Sequence, residues 1–514
     1  MDPSYYQAMT QLTFGTAGLR APVGPGPGQM NVKQVARTTA GVATWLAQRS
    51  ARLHLQHAPL ESVALHKDDG PLQVVVGFDA RYGSHTFATT AAEVLAGAGV
   101  EVLLLPTPTP TPLIPWLIRD RKCDAGIQIT ASQNPATDNG YKVYDSDGRQ
   151  ITTEDAHAIE AAIAEVGQVP RVTVRPGADQ LRRYLDEVVD LVNPAADLLR
   201  INNERAACRV VYTAMHGVGG RALHHALQAS GFALSFPVEE QQHPDPTFPT
   251  VRFPNPEEPE AVEMLLATAA EVEADVLVAL DPDADRCAVG YRRGTEYIML
   301  RGDELGPLLA HRLVPPGGVV ATTVVSSQLL KKMAERRGWG YCETLTGFKN
   351  LSRAHPDLVF AYEEAVGTSP APQLVPDKDG IATALIACAW AAELKALGRT
   401  LGDELDSLHR EFGVHLGTQV PVRTTAPQAF VDALLNSPPT ELAGLPATLT
   451  MLPAGQGLVF TCEWEEGTLR LIARASGTER KAKLYLEVVS PSRRAAERAL
   501  AELRKDAEEL AASH

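Results

Sequence analysis

The sequence predicts an α/β protein of several domains, closed by a smaller α+β unit. Three observations carry this. Short apolar runs that read as buried strands end repeatedly in polar loops and are followed by helical stretches, an alternation that places active residues at the carboxyl ends of strands. The chain has 514 residues, too long for one core and enough for roughly three or four domains. From about Gly413 the alternation gives way to strand-like runs at Thr448 to Leu452, Leu458 to Cys462 and Leu469 to Ala473.

In chain order, Leu12 to Met30 is a Gly- and Pro-rich loop containing Phe14, Gly15, Thr16, Gly18, Leu19 and Arg20. Val35 to Leu46 has helical spacing, Val74 to Val76 is a strand running into Asp79, Arg81 and Ser84, and a helix follows to about Ala98. Val102 to Leu105 is the next strand, and Pro106 to Pro112 a loop. Asn193 to Ala207 reads as a linker before a second unit opened by Val210 to Thr213. Gly317 to Val325 starts a third, in which Val359 to Tyr362 delivers Glu363 and Glu364. Asp379 or Gly380 starts the long apolar helix through Leu397. Ser490-Pro491 starts the last helix, with Ala496, Leu500, Leu503, Ala507 and Leu510 on one face. The expected domains are 1–195, 196–315, 316–412 and 413–514.

Three stretches carry chemistry. In Asp124 to Tyr144 an apolar run stops at Ser132, turn formers follow, and Lys142 sits on the next extended run. A strand ending on a hydroxyl in a tight turn presents it to solvent rather than to the core; the same pattern also serves as an inert turn. Ala274 to Leu280 (ADVLVAL) runs directly into Asp281, Asp283 and Asp285, followed by Arg286. Such carboxylates raise one another's pKa, and a hard divalent cation removes that cost. An EF-hand is excluded, because Arg286 stands at its sixth position and Arg292 at its twelfth. Finally, Arg474, Ser476, Gly477 and Thr478 combine a guanidinium with hydroxyl and backbone donors, the makings of a phosphate cradle or of an ordinary turn.

At these residues the sequence resembles the alpha-D-phosphohexomutase family, over essentially the whole chain. The family's phosphoserine loop, a Thr-Ala-Ser-His-Asn-Pro run, resembles Thr130 to Pro135; its metal loop resembles Asp281 to Arg286, its sugar loop Tyr362 to Gly367 and its phosphate loop Arg474 to Glu479. The resemblance implies four domains around a central cleft, three related mixed α/β domains plus the smaller α+β one. It further implies an intramolecular phosphotransferase interconverting hexose 1-phosphate and hexose 6-phosphate, a phosphoglucomutase that also accepts mannose phosphates. The expected cofactor is Mg²⁺, with glucose 1,6-bisphosphate as activator and intermediate. Ser132 would carry the phosphoryl group and join Asp281, Asp283 and Asp285 around the metal, and Arg286 would contact the serine loop. Lys142 and then Lys378 are candidates for proton transfer or for plain phosphate anchoring; burial would lower their pKa and neighbouring anions would raise it. Arg20 is a phosphate contact or a surface residue. Arg81 is expected to support the serine loop. Arg474, Ser476, Gly477 and Thr478 would hold the non-reacting phosphate, and Glu363, Glu364, Thr346, Gly347 and Lys349 the sugar.

Two departures from the family pattern stand out. Gln133 replaces a common His and cannot transfer protons, and Ala365 replaces the Ser of well-known glucose and mannose members. The Glu363-Glu364-Ala365 loop resembles the branch of bacterial sugar mutases and phosphopentomutases. A phosphopentomutase or a hexose 1,6-bisphosphate synthase is therefore the alternative.

Composition narrows the partners. Forty-seven basic and 62 acidic residues give a formal charge of -15, which weighs against nucleic acid and leaves a sugar phosphate as the expected partner. Six scattered cysteines, without a close pair, fit a reduced cytoplasmic protein. The first residues lack the basic and apolar segments of a signal peptide, and no apolar run approaches membrane-helix length. A monomer or homodimer is expected.

Overall fold

The apolar run Val74 to Val76 lies inside strand Gln73–Phe78, which is flanked in parallel by Glu101–Leu104 and Ala125–Ile129. The chain then turns back through Asp138–Tyr144, antiparallel to Ala125–Ile129, and Leu19–Pro22 pairs antiparallel at the edge. The structure, a computed structural model, describes residues 12, 14, 18–57, 70–194, 197–475 and 481–513.

A second sheet repeats this order: Leu234–Pro237, Arg209–Thr213 and Val276–Leu280 run parallel, and Cys287–Arg293 and Glu296–Met299 follow antiparallel. Val276–Leu280 is buried throughout, as expected for a central strand covered on both faces. A third sheet keeps the parallel heart, with Gly340–Thr344 and Leu358–Glu363 on either side of Val319–Thr323. The kinship too faint to establish from sequence is thus plain in topology. It has a functional consequence, because the Ser132 turn, the Asp281–Asp285 loop and the Glu363–Glu364 turn all follow the equivalent strand of their sheets. The last domain is antiparallel throughout, ordered Val414–Arg423, Lys481–Ser490, Gly467–Ala475, Leu458–Trp464 and Thr448–Met451, with helix Arg493–Ala512 packed on the first two strands.

Packing divides the chain into two units, Met1–Leu300 with Gly367–Gly398, and Arg301–Val366 with Arg399–His514. The first unit takes in segment 367–398 along with the chain up to Leu300. Helix Gly380–Ala396 is buried almost all round and packs on helices Leu198–Ala206 and Gly219–Ala229 and strand Cys287–Arg293, so it completes the second sheet's layer. Two local expectations also change. The linker of 193–207 contains helix Leu198–Ala206, whose buried Arg205 donates to Asn193 Oδ1 at 2.5 Å and Ser230 O at 3.0 Å. The last helix begins at Arg493 with Ser492 as its cap, because Ser490 is still paired with Val414 in the sheet. Among the described residues, no single helix is long and apolar enough to cross a membrane.

Within the second unit, the third and last domains meet at a buried carboxylate. Glu487 Oε1 accepts from Ser327 Oγ at 2.6 Å and Gln328 N at 2.9 Å, and Oε2 lies 3.0 Å from the Arg470 guanidinium. Burial alone would push this carboxyl up, but Arg470 and the His415 contact hold it at about 2. A carboxyl depressed below its ordinary 4.5 adds stability that is present above that pH and is lost as pH falls toward about 2. Glu487→Gln should therefore cost the second unit about 3 kcal/mol at pH 7, leaving Arg470 without its counter-charge. In urea titrations the deficit should narrow progressively below about pH 4; a deficit that stays constant down to about pH 2 contradicts this origin.

Candidate active site

In the first unit the two loops delivered by equivalent strands meet. Ser132 Oγ donates to Asp281 Oδ2 at 2.9 Å. Ser132 is only 2% exposed, which corrects the expectation of a solvent-facing hydroxyl: the metal loop of the second domain covers it. The serine holds a left-handed φ of 50°, a costly conformation for a non-glycine residue that needs support from its surroundings. Support comes from Arg81, which donates to the carbonyls of Ser132 at 2.5 Å, Asn134 at 2.7 Å, Pro135 at 2.8 Å and Asp138 at 3.2 Å. Asp79 pairs with Arg81 at 3.2 Å and accepts from Ser84 Oγ at 2.6 Å. The expected supporting role of Arg81 is therefore seen directly.

Asp281, Asp283 and Asp285 are fully buried, and each offers a carboxylate oxygen within 4.8 Å of the others. Lys142 Nζ bridges Asp283 Oδ2 at 2.7 Å and Asp285 Oδ2 at 2.9 Å, and Lys378 Nζ lies 3.3 Å from Asp285 Oδ2. Burial pulls the Lys142 amine down, but the two carboxylates outweigh it and hold the amine above its ordinary value. Burial, then Asp283 and Asp285, push Asp281 well up, whereas Lys142 holds Asp283 below the usual carboxylate range against the effect of burial. Asp283 Oδ1 and Asp285 Oδ1 remain buried without a hydrogen-bond partner among the described residues. Anionic oxygens buried without a hydrogen bond are expensive, and a hard divalent cation fits them. Arg286 contributes its backbone N–H to Asp281 Oδ1 at 3.0 Å and sets its Nε 3.7 Å from Asp285 Oδ1. Arg20 lies opposite Gly140, beside the serine segment.

The second unit gathers another set. Arg474 donates to Thr346 Oγ1. Lys349, on the short helix Phe348–Leu351 that follows Gly347, has its amine lowered by burial and by the cations of Arg353 and Arg474. This cationic group has an anion's complement. Glu363 is buried at a strand end, and Glu364 accepts from Thr323 Oγ1 at 3.1 Å. Ser476, Gly477 and Thr478, like Gly15 and Thr16, lie outside the described residues.

Sequence reasoning missed Thr111 and Asp377, and named Thr130 only as the first residue of the serine loop. Thr111 donates its hydroxyl to Asp283 Oδ2 and its N–H to Asp283 O, both at 2.8 Å, and Thr130 Oγ1 donates to Asp283 Oδ2 at 3.3 Å. Asp377 lies 3.5 Å from Lys378 Nζ and accepts from Gln150 Nε2 at 2.8 Å. The signal for Thr111 was its place on the loop after a parallel strand, the position from which such sheets present functional groups.

Comparison with known proteins bears on this geometry. Models of phosphoglucomutase/phosphomannomutase α/β/α domains I, II and III match residues 58–169, 182–294 and 301–412. A Haemophilus influenzae protein named "probable phosphomannomutase" is 38% identical, covering 84% of this chain and 90% of its own. The Mus musculus phosphopentomutase is 33% identical over 79% of this chain and 68% of its own. Among solved structures, a provisionally assigned phosphomannomutase from Thermus thermophilus aligns with a TM-score of 0.75 and 26% identity, covering 97% of this chain and 99% of that one.

Proposed function

The chain belongs to the phosphoglucomutase/phosphomannomutase family, and from that premise we propose that it interconverts hexose 1-phosphates and hexose 6-phosphates, glucose and mannose first, with Ser132 as phosphoryl carrier. The observation that carries the reading is the buried Ser132 hydroxyl hydrogen-bonded to Asp281 inside a cluster of three aspartates. Asp281, Asp283, Asp285 and an oxygen on Ser132 would hold Mg²⁺, which when bound polarises the phosphoryl group and offsets its charge.

The chain's own residues supply the rest. Ser132 Oγ gives its phosphoryl group to a sugar hydroxyl, the bond from Oγ to phosphorus breaking as one to the sugar oxygen forms, and the proton that the hydroxyl loses ends on the freed Oγ. The resulting hexose 1,6-bisphosphate reorients and returns its other phosphate to Oγ. Because phosphoryl transfer is largely a matter of positioning and charge, the Arg81-held turn and fixed cations matter most. The carboxylates around Lys142 favour the ammonium form, which supports the anchoring role over a neutral base. Lys378 adds a second cation beside Asp285, and Arg286 ties the loop's end to Asp281. Arg20 is a further phosphate contact. Arg474, together with Ser476, Gly477 and Thr478, holds the non-reacting phosphate, while Glu363, Glu364, Thr346, Gly347 and Lys349 hold the sugar. A reduced cytoplasmic setting belongs to the same reading, supported by six cysteines that are all free thiols.

Arg474→Ala should raise KM about 10- to 100-fold and change kcat less, as loss of a charged hydrogen bond to phosphate predicts; unchanged steady-state kinetics would move the anion site elsewhere. A phosphopentomutase remains the second reading, supported by the mouse relative and by Ala365. A panel of glucose, mannose, ribose, N-acetylglucosamine and glucosamine 1-phosphates, run with Mg²⁺ and added bisphosphate, decides between them through kcat/KM. Glucose or mannose 1-phosphate should rank first; ribose 1-phosphate in first place replaces the reading with the second.

A further inference from the structure

We infer that Phe248 is a positioning residue for phosphoryl transfer: its ring, on a loop of the second domain, braces the Arg81 guanidinium that holds the Ser132 turn in the first. The inference rests on Ser132 being the phosphoryl carrier. The N–H groups of Arg81 point within the guanidinium plane to four carbonyls of the serine turn and to Asp79. Those bonds fix the plane's edges and leave tilting about them to be resisted by whatever lies against its face. The guanidinium carbon lies 4.9 Å from the centroid of the Phe248 ring, over that ring. A cation over an aromatic face is attracted to it, more so when both are desolvated, and Arg81 and Phe248 are only 4% and 5% exposed.

Phe248 reaches this place at a cost. Its φ of 47° is left-handed, an outlier for a bulky side chain that persists only where surrounding structure enforces it. The enforcement is visible. Phe248 N donates to Asp245 O at 3.2 Å, Val251 N to Phe248 O at 3.1 Å, and Asp245 N to His216 O at 3.0 Å. Thr250 Oγ1 bonds His216 Nε2 and accepts from Gln241 Nε2, both at 2.8 Å. The His216 loop in turn holds the metal loop, through Val218 N to Pro282 O at 2.8 Å. One loop therefore touches both the cation that sets the nucleophile's turn and the support of the aspartates, so it registers Ser132 Oγ against Asp281.

The test compares Phe248→Leu, Phe248→Met and Phe248→Tyr in the full chain, with Tm measured for each. Readouts are steady-state kinetics on glucose 1-phosphate and the rate at which glucose 1,6-bisphosphate phosphorylates Ser132, followed by intact mass. For Leu and Met, kcat and the phosphorylation rate should fall about 10- to 100-fold with KM within about threefold, as for a small misplacement of reacting atoms. Tyr, which keeps the ring, should stay within about threefold of the parent chain. In an Arg81→Lys background, adding Phe248→Leu should change kcat by less than about twofold, because the two side chains act as one unit. If the Leu variant does not fold, Met carries the comparison. Full kcat without the ring, no rescue by Tyr, or additive losses with Arg81→Lys overturns the brace while leaving Ser132's role intact. A parent chain that turns over without ever phosphorylating Ser132 overturns the carrier reading and the brace with it.

Discussion

Ser132→Ala is expected to abolish mutase turnover, by about 10⁴-fold or more, as removal of a covalent carrier does. Among the described residues Ser132 Oγ donates to the Asp281 carboxylate, at 2.9 Å, whereas the Thr111 and Thr130 hydroxyls donate to Asp283. The fold should survive. The turn is held by Arg81 through backbone carbonyls, and none of those bonds uses the Ser132 side chain. Losing one hydroxyl hydrogen bond costs about 1 kcal/mol, so Tm should move by only a few degrees. Substantial residual mutase activity in the folded variant would remove Ser132 from its role.

Gly217→Ala should be nearly as damaging although it touches no substrate. A Cβ at this position would lie 2.3 Å from Pro282 Cα and 2.4 Å from Pro282 O, between Asp281 and Asp283. Neither side can retreat easily. The glycine's loop is pinned by His216 N to Gln241 O at 2.9 Å and Gly217 N to Ala214 O at 2.7 Å, and its Met215 and His216 already hold left-handed φ values of 48° and 58°. The metal loop is pinned from elsewhere by Thr111 N to Asp283 O at 2.8 Å and Gly380 N to Ala284 O at 3.2 Å. The overlap must therefore shift the aspartates. A fall in kcat/KM of about 100-fold is expected from displacement on the ångström scale, with about 1–3 kcal/mol of destabilisation from overpacking. Gly167→Ala is the control, since nothing lies within 4 Å of its added methyl; equal losses in the two variants would discard the steric argument.

What was legible in the sequence follows from how local each signal is. Asp281, Asp283 and Asp285 could be read because a strand buried throughout runs straight into them, a conflict within one short window that only a ligand or counter-charge resolves. The supporting role of Arg81 came from the resemblance of its strand-end element to the family's; the strand end alone left a surface arginine equally open. The burial of Ser132 was not, because its cover comes from a loop 149 residues away. The charge of Lys142 was equally hidden: burial and anions pull in opposite directions, and only the 2.7 and 2.9 Å contacts show which prevails. Gly380–Ala396 announced itself as a buried helix by being apolar all round, but no periodicity tells which sheet it covers. Family members for both hexose and pentose phosphates resemble the chain, so the superfamily is established without singling out the phosphopentomutase branch.

The most direct measurement is the intact mass of the protein during turnover, with peptide mapping and a chase by unlabelled hexose monophosphate. One phosphate should appear on the peptide containing Ser132 and leave to the sugar at least as fast as kcat. Isomerisation proceeding at full rate with that peptide unmodified, or with the phosphate on another residue, contradicts the account.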